Sequence, residues 1–513
     1  MSIHDPQTLL HSMTVGPVLF SGLRSAESES PDAFEPLGKQ LRGERAPVVI
    51  GDGPAVTVTV SPHDRAALLY REEAFYSPVQ SLKTGDRSVT FIPCPTEGRA
   101  TRFDGGFVVT GPGCVAIDVS VAGERPVREW VAFGTGQGCL GQREAPAPTK
   151  EASWTADLGA AERSWGGPAT ASAPVVAEDV VYVGAADGRL YAFPMLCGTE
   201  GEVCDPLWTG QTGDRIASTP AVGEETVFVQ SMDGYLYAFP IGCDKAECEP
   251  FWKGHTGGYP YRSSPVVAGD KVFVEVSDGN RTTTLFVFPS RCQKECDPIW
   301  KFTQPGVFYG GPATDAHSVF AVLNDTLFKI ECKSKCSAAR MFRHPALTPP
   351  AVAGGRVFVA SHERIYAFSQ GCRGGCGPKW LSVPVQLNGD LGAPGPVVES
   401  GKVYMPTDAG SLAMIPGRCP GSPGPGSCRI RGLGEYAGLS FAPAAVGEGL
   451  AAVSLDLSGE EGAISVFDAD CSGLCEPIWS SPVKGPSGVS APAIAHGEVL
   501  VSSGGRLYAF AVS

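Results

Sequence analysis

The sequence has little of what marks membrane-spanning or nucleic-acid-binding proteins. None of its stretches approaches the roughly 18 unbroken apolar residues that a membrane-spanning helix requires. Only 18% of its residues are charged, the net charge is −14, and no cluster of Lys and Arg interrupts the acidic balance. A phosphate backbone would repel such a chain. The sequence therefore predicts no membrane-spanning segment in this chain and no nucleic acid among its partners.

Motifs for catalysis, metals and cofactors are also missing. The eight histidines contain no two at metal-ligand spacing, no Gly-x-Ser-x-Gly turn is present, and no two cysteines are adjacent. The glycine-rich segment 134–141 neither opens a recognisable helix nor lies in a βαβ unit, so it does not predict a phosphate site. The sequence thus assigns no catalytic residue, no metal ligand and no cofactor.

Cysteine, by contrast, is plentiful and regularly placed. Fourteen of the 17 cysteines form seven close pairs, one in each of seven repeats. The pairs are Cys197/Cys204, Cys243/Cys248, Cys292/Cys296, Cys332/Cys336, Cys372/Cys376, Cys419/Cys428 and Cys471/Cys475. A zinc site would need two pairs at one ion, which this separation prevents, so each pair is predicted to be a disulfide. Cys94 and Cys114 are predicted to form another, which leaves Cys139 over.

Persistent disulfides predict an oxidising compartment, so we expect an extracytoplasmic protein: secreted, at the cell surface or periplasmic. The given sequence does not begin with a matching export signal. Residues 1–13 have no basic start, no apolar core of sufficient length and no lipobox cysteine. We therefore base the expected extracytoplasmic location on the cysteine pairs rather than on the missing signal.

Eight repeats follow one another within residues 152–513. Each begins with two small residues and a proline, with a looser match at Pro350, and successive prolines are 38 to 49 residues apart. The eight prolines are Pro174, Pro220, Pro265, Pro312, Pro350, Pro394, Pro443 and Pro492. This spacing is typical of four-stranded propeller blades of roughly 40–50 residues. The sequence predicts an all-β fold with an eight-bladed β-propeller.

Residues 218–252 show the strands expected in one blade. A proline opens the first strand, residues 227–229 form a buried second strand, and Asp233-Gly234 predicts a tight hairpin turn before the third strand. Trp252 marks the outer strand, where its ring is expected to pack between sheets against the small Ala238. The equivalent rings are Trp208, Trp300, Trp380 and Trp479, with Phe342 and Ile430 as departures. Trp154 matches them and is predicted to complete the last blade, closing the ring with an N-terminal strand.

The repeat resembles that of the pyrroloquinoline-quinone-type propeller family. The family pattern Leu-Tyr-Ala-Leu-Asp…Thr-Gly…Trp is similar to Leu190-Tyr-Ala-Phe193…Pro206-Leu-Trp208, although a loop between paired cysteines replaces the Asp…Thr-Gly corner. The resemblance implies either a quinone-dependent dehydrogenase or a non-catalytic scaffold, such as the propeller lipoprotein of the outer-membrane barrel-assembly machinery. Family enzymes usually stack the quinone between a Trp and a vicinal disulfide, and this chain has no Cys-Cys dipeptide.

The residues before the propeller form a different domain. Residues 56–60, 88–92, 106–109 and 114–119 are short strand-like runs between Gly, Pro and Asp turns. They predict a small β-sandwich over residues 14–139, preceded by an N-terminal extension of residues 1–13. The spacing Phe91 to Cys94, Gly105 to Phe107 and Gly111 to Cys114 resembles a small β domain of exported actinobacterial proteins. A linker of residues 140–151 connects it to the propeller of residues 152–513.

Connections that lead into the first strand of each blade are expected to meet at one end of the propeller. They carry Arg215, Tyr261, Arg262, Tyr309 and Asp390, which form a candidate binding rim. Aromatic and Arg side chains on a rigid frame are typical of binding hot spots. The predicted function is an exported, non-enzymatic binding or scaffold protein whose partner is a protein or another cell-envelope macromolecule. The alternatives are a quinoprotein dehydrogenase and a purely structural cell-surface protein.

Overall fold

The computed structural model contains two compact units, Met1–Pro146 and Ala147–Ser513. It describes residues 13–15, 18–20, 42–50, 54–60, 66–71, 85–93, 101–109, 113–121, 127–133, 149–159, 172–197, 202–260, 263–279, 282–306, 310–315, 318–345, 347–361, 364–372, 374–382, 394–407, 411–418, 428, 431–435, 440, 442–456, 461–484 and 489–512. In these residues the regular structure is entirely β, which confirms the predicted all-β fold. Among them no helix is long and apolar enough to cross a membrane.

The first unit contains three described sheets that share one apolar core. The strands, sheet by sheet, are Met13–Val15, Val18–Phe20, Val48–Ile50 and Thr101–Phe103; Val127–Phe133, Gly113–Val121, Val56–Val60 and Ser88–Phe91; and Arg42–Arg45, Gly106–Val109 and Ala66–Leu68. Alternation of Val and Thr in Val56–Val60 buries the three valines and leaves the threonines at the surface side. Cys94 and Cys139 lie outside the described residues, so the predicted Cys94–Cys114 disulfide stays a prediction.

The second unit repeats one sheet of four antiparallel strands. Eight such sheets lie within its described residues, and we number them as blades 1 to 8 along the chain. The strands of blades 1 to 4, each from first to fourth, are Val175–Ala177, Val180–Gly184, Arg189–Pro194 and Trp208–Gln211 in blade 1; Ala221–Val222, Thr226–Gln230, Tyr235–Pro240 and Trp252–His255 in blade 2; Val266–Ala268, Lys271–Ser277, Thr282–Pro289 and Trp300–Pro305 in blade 3; and Ala313–Thr314, Val319–Leu323, Thr326–Cys332 and Cys336–Arg343 in blade 4. The strands of blades 5 to 8, in the same order, are Ala351–Ala353, Arg356–Ala360, Ile365–Ser369 and Trp380–Leu381 in blade 5; Val397–Glu399, Lys402–Pro406, Ser411–Pro416 and Gly432–Glu435 in blade 6; Ala445–Gly447, Leu450–Asp456, Glu461–Asp468 and Trp479–Lys484 in blade 7; and Ala493–Ala495, Glu498–Ser503, Arg506–Ala511 and Trp154–Asp157 in blade 8.

The blades form a closed ring. The first strand of each blade contacts the first strands of the blades before and after it, and that of blade 8 contacts that of blade 1. Closure by an N-terminal strand is confirmed, because Trp154–Asp157 pairs antiparallel with Arg506–Ala511 and places Trp154 opposite Ala509. This pairing covers the edge that the last blade would otherwise expose.

The outer-strand tryptophans pack between sheets as predicted. Trp208, Trp252 and Trp380 lie opposite Ala192, Ala238 and Ala367 on the third strands of their blades. The ring of Trp208 also reaches Phe239 of the next blade, with centroids 6.4 Å apart. The short alanine side chain leaves room for the indole, which fills the space between two blades.

The two predicted departures from tryptophan were misplaced. In blade 4 the register puts Ala339 opposite Lys329 at the tryptophan position, whereas Phe342 pairs further along with Leu327. In blade 6 Gly432 takes that position opposite Met414, and Ile430 lies outside the described residues. In blade 4 the third strand turns directly into the outer strand at Cys332 and Cys336, whereas a longer loop separates the two strands in blade 1, so the spacing of the other blades does not apply.

The starts of blades 6 and 7 and the end of the linker also differ from the predictions. The first strand of blade 6 follows Pro396 rather than Pro394, and that of blade 7 begins at Ala445, one residue later than the proline pattern implies. Lys150, predicted to lie in the linker, belongs to the propeller because its amide nitrogen donates to Ser481 Oγ over 2.7 Å. Its ammonium group lies over the ring of Trp479, 5.8 Å from the centroid.

Six of the predicted disulfides are described, and each joins the two members of one close pair. They are Cys197–Cys204, Cys243–Cys248, Cys292–Cys296, Cys332–Cys336, Cys372–Cys376 and Cys471–Cys475. Cys428 is also disulfide-bonded, and its predicted partner Cys419 lies outside the described residues. The sequence prediction is therefore confirmed for these six pairs.

Four of the disulfide loops also contact the blade that precedes their own. Short segments in or beside four of them pair in parallel with the outer strand of the preceding blade and so add a fifth strand to it. These segments are Glu202–Val203, Glu247–Cys248, Lys294–Cys296 and Gly473–Cys475. Cys204, Cys248 and Cys296 are almost fully buried in the clusters that contain Trp154, Trp208 and Trp252. Each of these loops therefore holds two neighbouring blades together.

Candidate functional site

The candidate rim is described at one of its five predicted residues. Arg215 lies in the connection between blades 1 and 2, with its side chain half-buried. Tyr261, Arg262, Tyr309 and Asp390 lie outside the described residues. The structure therefore places one member of the rim, and the convergence of the five stays a prediction.

The connection that carries Arg215 is held from both blades. On the side of blade 1, Thr212 Oγ1 donates to the carbonyl oxygen of Gly188 over 2.8 Å, and the amide of Ile216 donates to Ala185 over 2.9 Å. On the side of blade 2, the amide of Met232 donates to the carbonyl oxygen of Arg215 over 3.0 Å. The backbone at Arg215 is thus fixed at the junction of two blades, and its side chain is half-buried.

The Asp-Gly hairpins beside this connection have a structural role. Asp233 Oδ1 accepts from the amide of Tyr235 over 3.1 Å, and Oδ2 accepts from the Tyr237 hydroxyl over 2.6 Å and from the amide of Gly213 over 3.0 Å. Burial and this hydrogen bond to Asp233 raise the pKa of Tyr237. Asp187 repeats the pattern with Tyr191 at 2.7 Å. The carboxylates therefore form turns and hold the rim connection.

Tyr259 is a second exposed group at this end. It lies in the connection between blades 2 and 3, and its side chain is 45% exposed. Its amide and carbonyl groups exchange hydrogen bonds of 2.8 and 2.9 Å with Ser277 at the end of the second strand of blade 3. Tyr259 precedes Tyr261 and Arg262, two of the predicted rim residues, in the sequence.

A buried polar cluster lies at the junction of blades 2 and 3. Gln230 and Glu275 occupy the same position in the second strands of the two blades, and Gln230 Nε2 donates to the carbonyl oxygen of Glu275 over 3.2 Å. Gln230 Oε1, Ser263 Oγ and both carboxyl oxygens of Glu275 are buried, and no partner for them lies among the described residues. Burial raises the pKa of Glu275 well above its ordinary value of 4.5. Glu275 is therefore held in its neutral form over a wider pH range.

Sequence analysis missed Glu275, although a signal was present. The second strands of blades 1 and 2 read Val-Tyr-Val-Gly and Val-Phe-Val-Gln, and blade 3 places a glutamate at the end of the same pattern. A carboxyl group is seldom buried without a partner. An acidic residue inside an otherwise apolar strand was thus the observable clue.

A second missed feature is a hydroxyl two residues before the blade-opening proline. Ser172, Ser218, Thr348 and Ser490 accept a hydrogen bond from an amide twelve residues further on, at 2.8 to 3.1 Å. These contacts join the start of each first strand to the end of the second strand of the same blade. Ser263 occupies the equivalent position in blade 3. In these four blades the residue two positions before the proline therefore has a specific bonding role.

The described residues do not fit the quinone site of the resembling enzymes. Trp154, Trp208, Trp252, Trp380 and Trp479 are each at most 4% exposed, because they pack between blades. Trp300 is half-buried in the same kind of position. The side chains of Trp130 and Trp165 lie outside the described residues. No Trp ring among the described residues is therefore free of blade packing and available to stack on a quinone.

Comparison with known proteins finds similarity over part of the chain. A family model described as outer membrane protein assembly factor BamB matches residues 145–286. No curated protein matches the chain significantly.

Solved structures resemble the fold at low sequence identity. BamB from Moraxella catarrhalis is 12% identical with a TM-score of 0.48, and the match covers 66% of this chain and 94% of that one. Quinohemoprotein alcohol dehydrogenase from Comamonas testosteroni is 12% identical with a TM-score of 0.46, covering 70% and 76% of the two chains. The computationally designed Ika8 protein is 11% identical with a TM-score of 0.47, covering 71% and 99%. The family match shows a BamB-like repeat within residues 145–286.

Proposed function

We propose that this protein is an exported, non-enzymatic binding or scaffold protein that acts through the end of the propeller where Arg215 lies. The observation that carries the proposal is the connection between blades 1 and 2, which presents Arg215 from a backbone held by hydrogen bonds to both blades. A fixed backbone lowers the entropy that is lost on association. The partner is a protein or another macromolecule of the cell envelope.

Two further observations support the proposal. The described disulfides favour an oxidising compartment outside the cytoplasm, since they recur from blade to blade. The family that matches residues 145–286 is named as an assembly factor rather than as an enzyme. Both favour a stable frame that presents loops to a partner.

The proposal is tested by capture of a partner from cell-envelope extract, followed by affinity measurements with the purified partner. Arg215→Ala should keep the melting temperature and weaken binding, and a second variant with Tyr261→Ala and Arg262→Ala should weaken it by about 2–4 kcal/mol if these are hot spots. Arg418→Ala is the matched control, because Arg418 is exposed and follows the third strand of blade 6 at the other end. Equal binding by all variants would overturn the role of the rim.

An absorbance scan and a dye-linked oxidation assay test the enzyme alternative. The purified protein should take up no stoichiometric amount of pyrroloquinoline quinone and should not oxidise alcohols or sugars in its presence. Tight uptake together with oxidation would overturn the non-enzymatic proposal.

A further inference from the structure

The outer side of blades 1 to 3 carries a surface that the rim does not use. We propose that this surface binds a segment of a partner protein in which lysine or arginine alternates with apolar side chains. We call it the acidic-apolar wall and define it as residues 205–207, 243–251 and 292–299. The inference goes beyond the proposed function, because Leu207 precedes and Arg215 follows the outer strand Trp208–Gln211, so the wall and the rim lie at opposite ends of that strand.

The apolar part of the wall is one side chain repeated in three consecutive blades. Leu207, Phe251 and Ile299 are 52%, 53% and 53% exposed, and each stands directly before an outer-strand tryptophan. Their amides donate to the carbonyl oxygens of Ala192, Ala238 and Val287 over 2.7, 2.8 and 2.8 Å. Successive residues of a strand point to opposite sides. Because the tryptophan takes the inward side, the preceding side chain is held in solvent.

The disulfide loops make these three positions one continuous surface. The amide of Thr209 donates to Ala246 over 2.9 Å, which places the loop of blade 2 beside Leu207. The amide of Lys294 donates to the carbonyl oxygen of Phe251 over 3.3 Å, which places the loop of blade 3 beside Phe251. Each loop then runs directly into the next exposed apolar residue. The wall therefore extends without a break from Leu207 to Ile299.

The charge of the wall is acidic. It carries six exposed carboxylates against two exposed lysines, Lys245 and Lys294. The carboxylates are Asp205, Asp244, Glu247, Glu249, Glu295 and Asp297. In each blade an acidic residue and a proline stand immediately before the exposed apolar side chain, so charge and apolar area alternate at the spacing of the blades. A partner segment with basic and apolar side chains complements both features.

Blades 5, 6 and 8 interrupt the pattern, which limits the wall to one arc of the ring, and blade 7 repeats it in isolation with Glu476, Pro477 and Ile478. At the position of Leu207, directly before the outer strand, the residue whose amide donates to the third strand is Lys379 in blade 5, Arg431 in blade 6 and Ser153 in blade 8. Ile478 of blade 7 is 46% exposed but stands between the positions of Arg431 and Ser153. A requirement of the fold alone would place the same kind of residue in every blade. The local concentration in blades 1 to 3 therefore favours a binding role.

A labelled synthetic peptide that alternates lysine and leucine is the probe, and its fluorescence anisotropy reports binding. The wild-type protein with its disulfides intact should bind this peptide saturably, and added salt should weaken the complex. A triple variant with Leu207→Ser, Phe251→Ser and Ile299→Ser should bind at least tenfold more weakly. A second triple variant with Asp205→Asn, Glu249→Gln and Asp297→Asn should also lose at least tenfold.

Ile478→Ser is the matched control, because it removes the same exposed side chain outside the wall. This variant and Arg215→Ala should bind the peptide like the wild type, which separates the wall from the rim. Circular dichroism and melting of each variant show whether the fold is kept. No saturable binding by the wild type, equal binding by the apolar triple variant, or an equal loss in Ile478→Ser would each overturn the proposal.

Discussion

Trp154 donates a hydrogen bond from Nε1 to Oε2 of Glu498 over 3.0 Å, although 344 residues separate the two in the chain. Glu498 begins the second strand of blade 8, and its other carboxyl oxygen accepts from Ser153 Oγ over 3.0 Å. Burial raises the pKa of Glu498, and these two hydrogen bonds act against that rise. The strand Trp154–Asp157 is thus joined to the last blade in three ways: by its backbone pairing with Arg506–Ala511, by the buried ring of Trp154 and by the hydrogen bonds to the carboxyl group of Glu498.

Closure by Trp154 should make a large contribution to stability. Trp154→Ala removes a side chain that is 2% exposed between blades 8 and 1, and we expect a loss of about 3–5 kcal/mol. Trp300→Ala, at a half-buried tryptophan of blade 3, is the control and should cost less. Urea denaturation followed by tryptophan fluorescence and circular dichroism measures both. A smaller effect at Trp154 than at Trp300 would contradict the closure that the strand pairing implies.

Removing the first disulfide should loosen the preceding blade as well as its own. The amide of Cys204 donates to the carbonyl oxygen of Thr155 over 2.7 Å, so this loop covers the closing strand of blade 8. Cys197→Ser with Cys204→Ser should lower stability by about 2–3 kcal/mol. It should also speed hydrogen exchange in Trp154–Asp157, as mass spectrometry can measure.

Blade 4 offers a matched control for that experiment. Cys332 and Cys336 pair with each other at the hairpin between its third and fourth strands, and no described segment of this loop joins the sheet of blade 3. Cys332→Ser with Cys336→Ser should leave hydrogen exchange in Trp300–Pro305 unchanged. Faster exchange there would mean that disulfides stabilise neighbouring blades without a shared strand.

The hydroxyl two residues before the blade-opening proline should stabilise a blade in which it accepts the hydrogen bond from the second strand. Ser218 Oγ accepts from the amide of Gln230 over 3.1 Å and donates to its carbonyl oxygen over 3.1 Å. Ser218→Ala leaves these groups buried without a partner and should cost about 1–3 kcal/mol. Ser263→Ala alters the same position in blade 3, where the hydroxyl has no described partner, and should cost less. Equal losses in thermal unfolding would argue against this bond.

Glu275 should make the propeller less stable as pH rises. Both states of the protein are protonated at this group well below pH 4.5, its ordinary pKa. Above that pH the unfolded chain ionises while the folded protein keeps the proton, so the unfolded state is favoured. The loss is about 1.4 kcal/mol per pH unit until the raised folded pKa is reached.

Glu275→Gln tests this by removing the titration and keeping the shape of the side chain. We expect similar melting temperatures for variant and wild type near pH 4 and a more stable variant at pH 8. Glu225→Gln is the control, because Glu225 is exposed and lies near Arg291 at the surface. A wild-type protein that gains stability relative to Glu275→Gln as pH rises would show that Glu275 is ionised and paired.

Local patterns in the sequence predicted the blade strands, the hairpins and the cysteine pairing. The Asp-Gly turns, the short apolar run of residues 227–229 and the four- to seven-residue cysteine loops depend on contacts between residues close in the chain. The match of Trp154 to Trp208 also predicted closure across the whole propeller, because a repeat shows which strand is missing. The convergence of the five candidate rim residues stays a prediction, since only Arg215 lies in the described residues.

The sequence by itself determined the class of fold and the partners within the six described disulfides, because both follow from short-range periodicity and spacing. Only the tertiary structure decided that a segment of a disulfide loop becomes the fifth strand of the preceding blade, as Glu202–Val203 does beside Trp154 and Thr155. It also decided that Glu275 is buried without a described partner and that Leu207, Phe251 and Ile299 form one surface. These relationships join different blades, and the packing of one sheet against the next sets them through contacts that no local pattern encodes.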